Sequence, residues 1–402
     1  MRRSVAVVTT YYRPVLGGAE SAAEHLATFL VRRGHRVLVV TKRTSRDHPV
    51  DEVIDGVTIV RLPPVGERAA RGKWLVLPAV VRALIRHRAT IDVVCCIDYR
   101  GIGLGALIAR AFTHAPVVFQ AQTEGVLSGA RVRTWLQRLG IGPQSAVAQA
   151  ATWPIRALYG RADGLGCISR GIEREALEAG VPRARVHYLP NPVDTRVFAP
   201  VASEERDALR TRLGLPTTAV VAVFVGRLSR EKGVMELVRA WDDAKPEAEL
   251  VVIGPPMTDH PWDVSKEAAD FVTSHGLAGR VRFLGGQPAE VVADWLKAAD
   301  FSVQPSHFEA MGLAAAEAMA AGLPVIASDT GGFRDFITTE VTGVLVPVGD
   351  VRALGLAIAR LAGDASLRAR LGREARSRAE EFDERRVLEQ FARLIDGLPI
   401  RG

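Results

Sequence analysis

Two glutamates, Glu309 and Glu317, stand seven residues apart in the stretch SHFEAMGLAAAEAMAAGLPVIASDTGG, Ser306 to Gly332, with Gly312 between them. Leu313–Ala321 is rich in Ala with Leu, Met and Glu, all strong helix formers. Gly322-Leu323-Pro324 stops that helix, and Val325–Ser328 reads as a short buried strand. Glu317 is therefore expected about a turn inside a helix and Glu309 in the loop before it, so that two carboxylates face one ligand from different heights. Gly312 removes a side chain where a ligand would approach the helix N-terminus, whose free backbone N–H groups favour an anion such as a phosphate. A carboxylate accepts hydrogen bonds from paired hydroxyls. The chemistry this suits is recognition of a molecule with an anionic middle and hydroxyls at both ends. Spacing alone also fits a Glu317 that sits on the solvated face of a surface helix.

A second constellation lies upstream in GRLSREKG. Gly226 ends an apolar strand, Gly233 opens the helix Val234–Trp241, and Arg227 and Lys232 flank the turn between them. Two cations converging on a helix N-terminus make a diphosphate site by charge and geometry. A third signal is Gly17-Gly18, after the first strand and before a helix, where a ligand could approach backbone amides; a plain tight turn is the simpler reading. Gly101-Ile-Gly103-Leu-Gly105-Ala106 fits a loose dinucleotide pattern, but no acidic residue about 20 positions on ends a strand. Close packing of helix on sheet explains it better, and an NAD-linked oxidoreductase is the weaker reading.

Strand-like runs alternate with helix-like runs along the whole chain, which predicts an α/β fold with parallel sheets covered on both faces. The length of 402 residues predicts two domains. No apolar run reaches the ~18 residues of a membrane-spanning helix. The apolar part of MRRSVAVVTTYY is too short for a signal peptide, which sets the expectation of a cytoplasmic protein. Three cysteines, Cys95, Cys96 and Cys167, have no metal-ligand spacing and argue against a disulfide framework. The net charge of +7 suits nucleic acid, an acidic membrane or an anionic substrate. No zinc finger, helix-turn-helix or aromatic-interleaved basic run supports nucleic acid. Two basic stretches with apolar positions, one carrying Arg68, Arg71, Lys73, Trp74, Arg82, Arg86 and Arg88 and one running Arg131–Arg138 with Trp135, fit either a solvated helix face or contact with a membrane surface or anionic acceptor. Trp153-Pro154 is expected to begin a further helix.

Glu309 and Glu317, with Gly312 and Leu313 between them, framed by Pro305-Ser306 and Gly322-Leu323-Pro324, resemble the signature of retaining glycosyltransferases of the GT-B fold, family 4 type. The resemblance covers nearly the whole chain, specific in its second half and loose in its first. It implies two Rossmann-like domains facing a cleft: residues 1–192 binding the acceptor, 193–380 binding a nucleotide-sugar donor, and a C-terminal helix, 381–402, crossing back to the first domain. Asn191-Pro192-Val193-Asp194 is similar to the family's interdomain linker. By the same resemblance Arg227 and Lys232 clamp the donor diphosphate, Glu309 holds the sugar hydroxyls and Glu317 the ribose. Gly17, Gly18, Gly226, Met311, Gly312 and Leu313 line the donor. The base of the donor nucleotide, UDP or GDP among others, is held near Gly285-Gly286-Gln287, and its identity is not readable. Metal independence is expected, since no Asp-x-Asp is present, and no cofactor beyond the donor substrate is implied. The expected partners are the nucleotide-sugar, a hydroxyl acceptor and peripherally the inner membrane face, with no nucleic acid.

One position departs from the family. Relatives carry a His near the donor sugar after the strand corresponding to Pro116–Gln120; here Gln122 stands in its place, with Gln120 the alternative. Glutamine donates to a hydroxyl but cannot act as acid or base. A sugar-nucleotide-binding protein without turnover is the rival this departure raises.

Overall fold

The computed structural model describes residues 2–14, 17–66, 75–97, 101–142, 145–258 and 260–399. The chain forms two compact units, Met1–Pro192 with Arg385–Gly402, and Val193–Glu384. Residues 381–384, expected with the last helix, stay with the second unit. Phe382 is buried there edge-to-face on Phe336 at 5.4 Å, and Val193 N donates to Phe382 O while Glu384 N donates to Val193 O.

In the first unit, the strands are β1 (Ser4–Thr9), β2 (Arg36–Lys42), β3 (Asp51–Ile54), β4 (Val57–Leu62), β5 (Val93–Ile97), β6 (Val117–Ala121), β7 (Gly164–Cys167) and β8 (Val186–Tyr188). They form one sheet in the order β3-β4-β2-β1-β5-β6-β7-β8. The helices between them are α1 (Gly18–Arg32), α2 (Leu77–Arg86), α3 (Ile102–Thr113), α4 (Ala130–Arg138), α5 (Ala146–Tyr159) and α6 (Arg170–Glu178). Strands such as β5 and β6 are buried at every position, as expected when helices cover both sheet faces.

Two elements differ from the sequence expectation. The sheet is not wholly parallel: β3 pairs antiparallel with β4 as an edge hairpin. The turn is Asp55-Gly56, both at positive φ (52° and 77°), the pair a two-residue hairpin turn favours. Helix α5 starts well before Trp153-Pro154, and Pro154 lies inside it. Its start is set by Ser145, whose hydroxyl accepts from Ala148 N and caps the open amides. Of the first basic stretch, Arg68, Arg71, Lys73 and Trp74 lie outside the described residues.

The second unit's sheet has the order β11-β10-β9-β12-β13-β14, with β9 (Val220–Val225), β10 (Ala248–Ile253), β11 (Val281–Phe283), β12 (Phe301–Gln304), β13 (Val325–Ser328) and β14 (Gly343–Val346). All its pairings are parallel. Its helices are α7 (Ser203–Arg212), α8 (Val234–Ala244), α9 (Ser265–Ser274), α10 (Ala289–Ala298), α11 (Leu313–Ala320), α12 (Val351–Gly363) and α13 (Ala365–Ala379). Trp241, Phe224, Phe301 and Leu371 meet in its core. The last helix, α14 (Glu384–Asp396), belongs from Arg385 onward to the first unit. It buries Leu388, Phe391 and Ile395 in the core that holds Val5, Leu26 and Val39.

Candidate active site

In an open parallel sheet, ligands bind beyond the carboxyl ends of the strands where the strand order reverses. In the second unit the chain leaves β9 toward β10 on one side and returns at β12 on the other, so β9 and β12 are neighbours. The connections that follow these two strands are the ones carrying Arg227 with Lys232 and Glu309 with Gly312. Topology therefore brings together residues about 80 positions apart in the chain.

The two connections touch closely. Lys232 Nζ donates to Glu309 Oε2 at 2.5 Å, with both side chains about four-fifths buried, and Ser306 Oγ lies 3.5 Å from the same oxygen. His307 N donates to Glu231 O at 2.8 Å, and His307 Nε2 lies 3.0 Å from Glu236 Oε1. Gly233 takes φ 69°, and a Cβ there would stand 2.0 Å from Pro305 O, so only glycine admits this approach. Arg227 is exposed on the β9 connection and forms no ion pair among the described residues.

Gly312 precedes α11 at φ 93°, where a Cβ would meet the Phe333 ring at 2.3 Å. Among the described residues no side chain caps this helix start, so its first amides stay available to an outside acceptor. Glu317 lies one turn in, half-buried. Burial, with no charge to offset it, pushes its carboxyl from 4.5 up to about 8. Leu313 is half-buried, whereas Met311, expected against the donor, is 3% exposed and packs into the fold.

The loop holding Glu309 is backed by residues that carry no role in the sequence motif. Gly332 N donates to Glu309 O at 2.9 Å, and a Cβ on Gly331 or Gly332 would strike Glu309 O or Ala310 O at 1.9 and 2.3 Å. The Gly-Gly pair ending the Ser306–Gly332 stretch was the available signal. His307 as a brace onto Glu236 had none, since its partner lies on another element.

In the first unit the order reverses at β1 and β5. Gly17 and Gly18 lie beyond β1, exposed, with Gly18 the first residue of α1 rather than part of the loop. Gln122 follows β6, two strands across the sheet. Its amide pairs reciprocally with that of Asn191: Gln122 Nε2 donates to Asn191 Oδ1 at 3.0 Å, and Asn191 Nδ2 donates to Gln122 Oε1 at 3.1 Å. Asn191 is 5% exposed, and sequence reasoning had placed it only in a linker. Gln122 is half-buried and keeps one further N–H beyond this pair. Gln120 is 3% exposed and donates to Leu189 O within the core, which removes it as the alternative. A Cβ on Gly105 would meet Val80 at 3.0 Å, so the glycine run at the start of α3 serves close packing on α2.

Two such sheets, each with its sequence signals at the carboxyl edge, define a glycosyltransferase of the GT-B fold. Comparison with known proteins agrees. The profile for glycosyl transferases group 1 matches residues 205–378, and that for the glycosyl transferase 4-like domain matches residues 17–192. The chain is 31% identical over 380 residues to D-inositol 3-phosphate glycosyltransferase of Xylanimonas cellulosilytica, covering 91% of this chain and 88% of that protein. It is 30% identical over 345 residues to GDP-mannose-dependent alpha-mannosyltransferase of Mycolicibacterium smegmatis, covering 86% and 84%. Sucrose-phosphate synthase from Thermosynechococcus elongatus superposes with a TM-score of 0.82 at 26% identity, covering 98% of each chain. The chain belongs to the glycosyl transferases of group 1, the family 4 type. The oxidoreductase reading is set aside with this assignment.

Proposed function

We propose that this glycosyltransferase moves a sugar from a nucleoside-diphosphate sugar to an acceptor hydroxyl, with retention of configuration and without a metal or cofactor. The observation that carries the reading is the joining of Lys232 to Glu309 across the two switch-point connections, beside the uncapped start of α11. Arg227, Lys232 and the first amides of α11 supply positive potential where charge grows on a departing diphosphate, the largest kind of catalytic stabilisation. The bond from the anomeric carbon to the diphosphate oxygen breaks, and the acceptor oxygen bonds to that carbon from the same face. The acceptor proton passes to the departing phosphate oxygen, so no side-chain base is needed.

Glu309 accepts from sugar hydroxyls and Glu317 from the ribose; Gln122 donates to a sugar hydroxyl with the N–H left over from its pair with Asn191. Gly17 and Gly18 let the diphosphate and sugar approach the start of α1. In this assignment the second unit binds the donor and the first the acceptor. The relatives' names make GDP-mannose and D-inositol 3-phosphate the first donor and acceptor to try. No helix among the described residues is long and apolar enough to cross a membrane; basic segments of the first unit are proposed to touch its surface.

A melting-temperature screen against nucleoside diphosphates tests the donor reading. A ligand that binds the folded state raises the melting temperature by mass action. One diphosphate is expected to do so, followed by transfer of label from the matching nucleotide-sugar. No shift with any of them would overturn it.

A further inference from the structure

We propose that the helix pair α4 and α5 is the docking surface of the first unit for an anionic lipid bilayer. This deepens the membrane contact proposed above and rests on that reading. The two helices pack against each other. They are seated by few residues: Leu136 from α4, and Ala148, Thr152 and Tyr159 from α5, with Tyr159 edge-to-face on Phe119 at 5.6 Å. Gly129 lets α4 start against Thr152, where a Cβ would come within 2.4 Å of its methyl.

What α5 leaves outside over its first half is apolar, and α4 adds apolar side chains beside the exposed Thr134, Gln137 and Arg138. Between Ala146 and Pro154 only Ala148 and Thr152 are buried, and the exposed remainder carries one polar side chain, Gln149. Trp153 is 66% exposed, and Trp135 on α4 and Leu139, which caps its C-terminus, are each 59% exposed. A soluble surface rarely leaves an apolar face of this kind uncovered. Tryptophan, with an apolar ring and one polar N–H, is the residue that settles at a bilayer interface.

Charge selects the occupant. From Gly125 to Ala162 the chain has five arginines (131, 133, 138, 156 and 161) and no Asp or Glu. A second copy is disfavoured, because a twofold interface would set this wholly cationic segment against itself. An anionic headgroup layer complements it, with the exposed Arg138 and Arg161 at the phosphates and the tryptophans below.

The test is co-sedimentation with vesicles of phosphatidylcholine mixed with phosphatidylglycerol, against phosphatidylcholine alone, without any sugar nucleotide. The protein is expected to sediment with the anionic vesicles and to be released by salt, as exposed charges are screened. The double variant Trp135→Ser/Trp153→Ser should lose at least about tenfold in partition, since burial of the apolar rings sets interfacial affinity. Its melting temperature and its nucleoside-diphosphate shift should match the parent's. The proposal is overturned if the parent ignores anionic vesicles, if the variant binds them as the parent does, or if the parent self-associates and the variant does not. Vesicle binding is read without turnover, so its failure leaves the transfer reaction standing, and failure of transfer leaves the vesicle result standing.

Discussion

Replacing Glu317 with Gln should change how the stability of the protein depends on pH. Burial raises the Glu317 carboxyl from 4.5 to about 8, and burial is the sole cause. A carboxyl raised in the folded state binds its proton more tightly there than in the unfolded chain. Its effect is therefore nil below the unfolded value, and stability falls as pH rises from about 4.5 toward about 8, levelling off above. The slope is ~1.4 kcal/mol per pH unit, so between pH 5 and pH 8 the parent should lose up to about 4 kcal/mol relative to Glu317→Gln, whose amide mimics the protonated acid without titrating. Every other group titrates alike in both proteins, and the difference isolates this one. Urea unfolding of both proteins at intervals from pH 5 to pH 9 measures it. A difference that does not change with pH would refute the buried, uncompensated carboxyl. The same group predicts a ligand effect. If the ribose hydroxyls favour the ionised form, donor affinity should rise with pH up to about 8, and Glu317→Gln should bind the donor ten- to a hundredfold more weakly while losing discrimination against 2′-deoxy donors.

Two other changes probe the loops and the amide pair. Gly312→Ala should destabilise the second unit by roughly 1–3 kcal/mol and cut transfer, because φ 93° and the Phe333 ring both exclude a Cβ; a parent-like urea midpoint would show that the loop relaxes freely. Gln122→Ala and Asn191→Ala should each slow transfer by ~10-fold, the value of one ordinary hydrogen bond, and the double variant should be no slower than either. Gln122→His should be tolerated, and a fall in melting temperature with unaltered kinetics would take Gln122 out of the site.

The sequence carried the strand-to-helix turn at Arg227 and Lys232 and the loop before α11, because each is punctuated locally by glycines that the backbone itself requires. It did not carry partnerships made by topology. Gln122 and Asn191 are 69 residues apart and meet because their segments leave the carboxyl ends of β6 and β8, which flank β7; nothing near either residue signals the other. His307 reaching Glu236 and Gly331-Gly332 backing Glu309 are of the same kind. The antiparallel β3 was missed for a different reason. Its Asp55-Gly56 turn is a local signal, but the strand is short, half-exposed and barely apolar, so periodicity gave it no weight. Pro154 misled because proline favours a helix start, while the cap at Ser145 and the seating of Ala148 and Thr152 extend the helix through it.

The central claim is that the diphosphate departs from the sugar's anomeric carbon with its growing charge stabilised by the side chain of Lys232 at the switch point of the second unit. Steady-state transfer from the nucleotide-sugar identified by melting shift, measured for the parent and for Lys232→Ala, tests it most directly. Turnover should fall by at least ~100-fold, the range for removing a group that stabilises developing charge, while the variant's unfolding remains cooperative. Turnover near that of the parent, in a variant that has lost the Lys232–Glu309 pair, would contradict it.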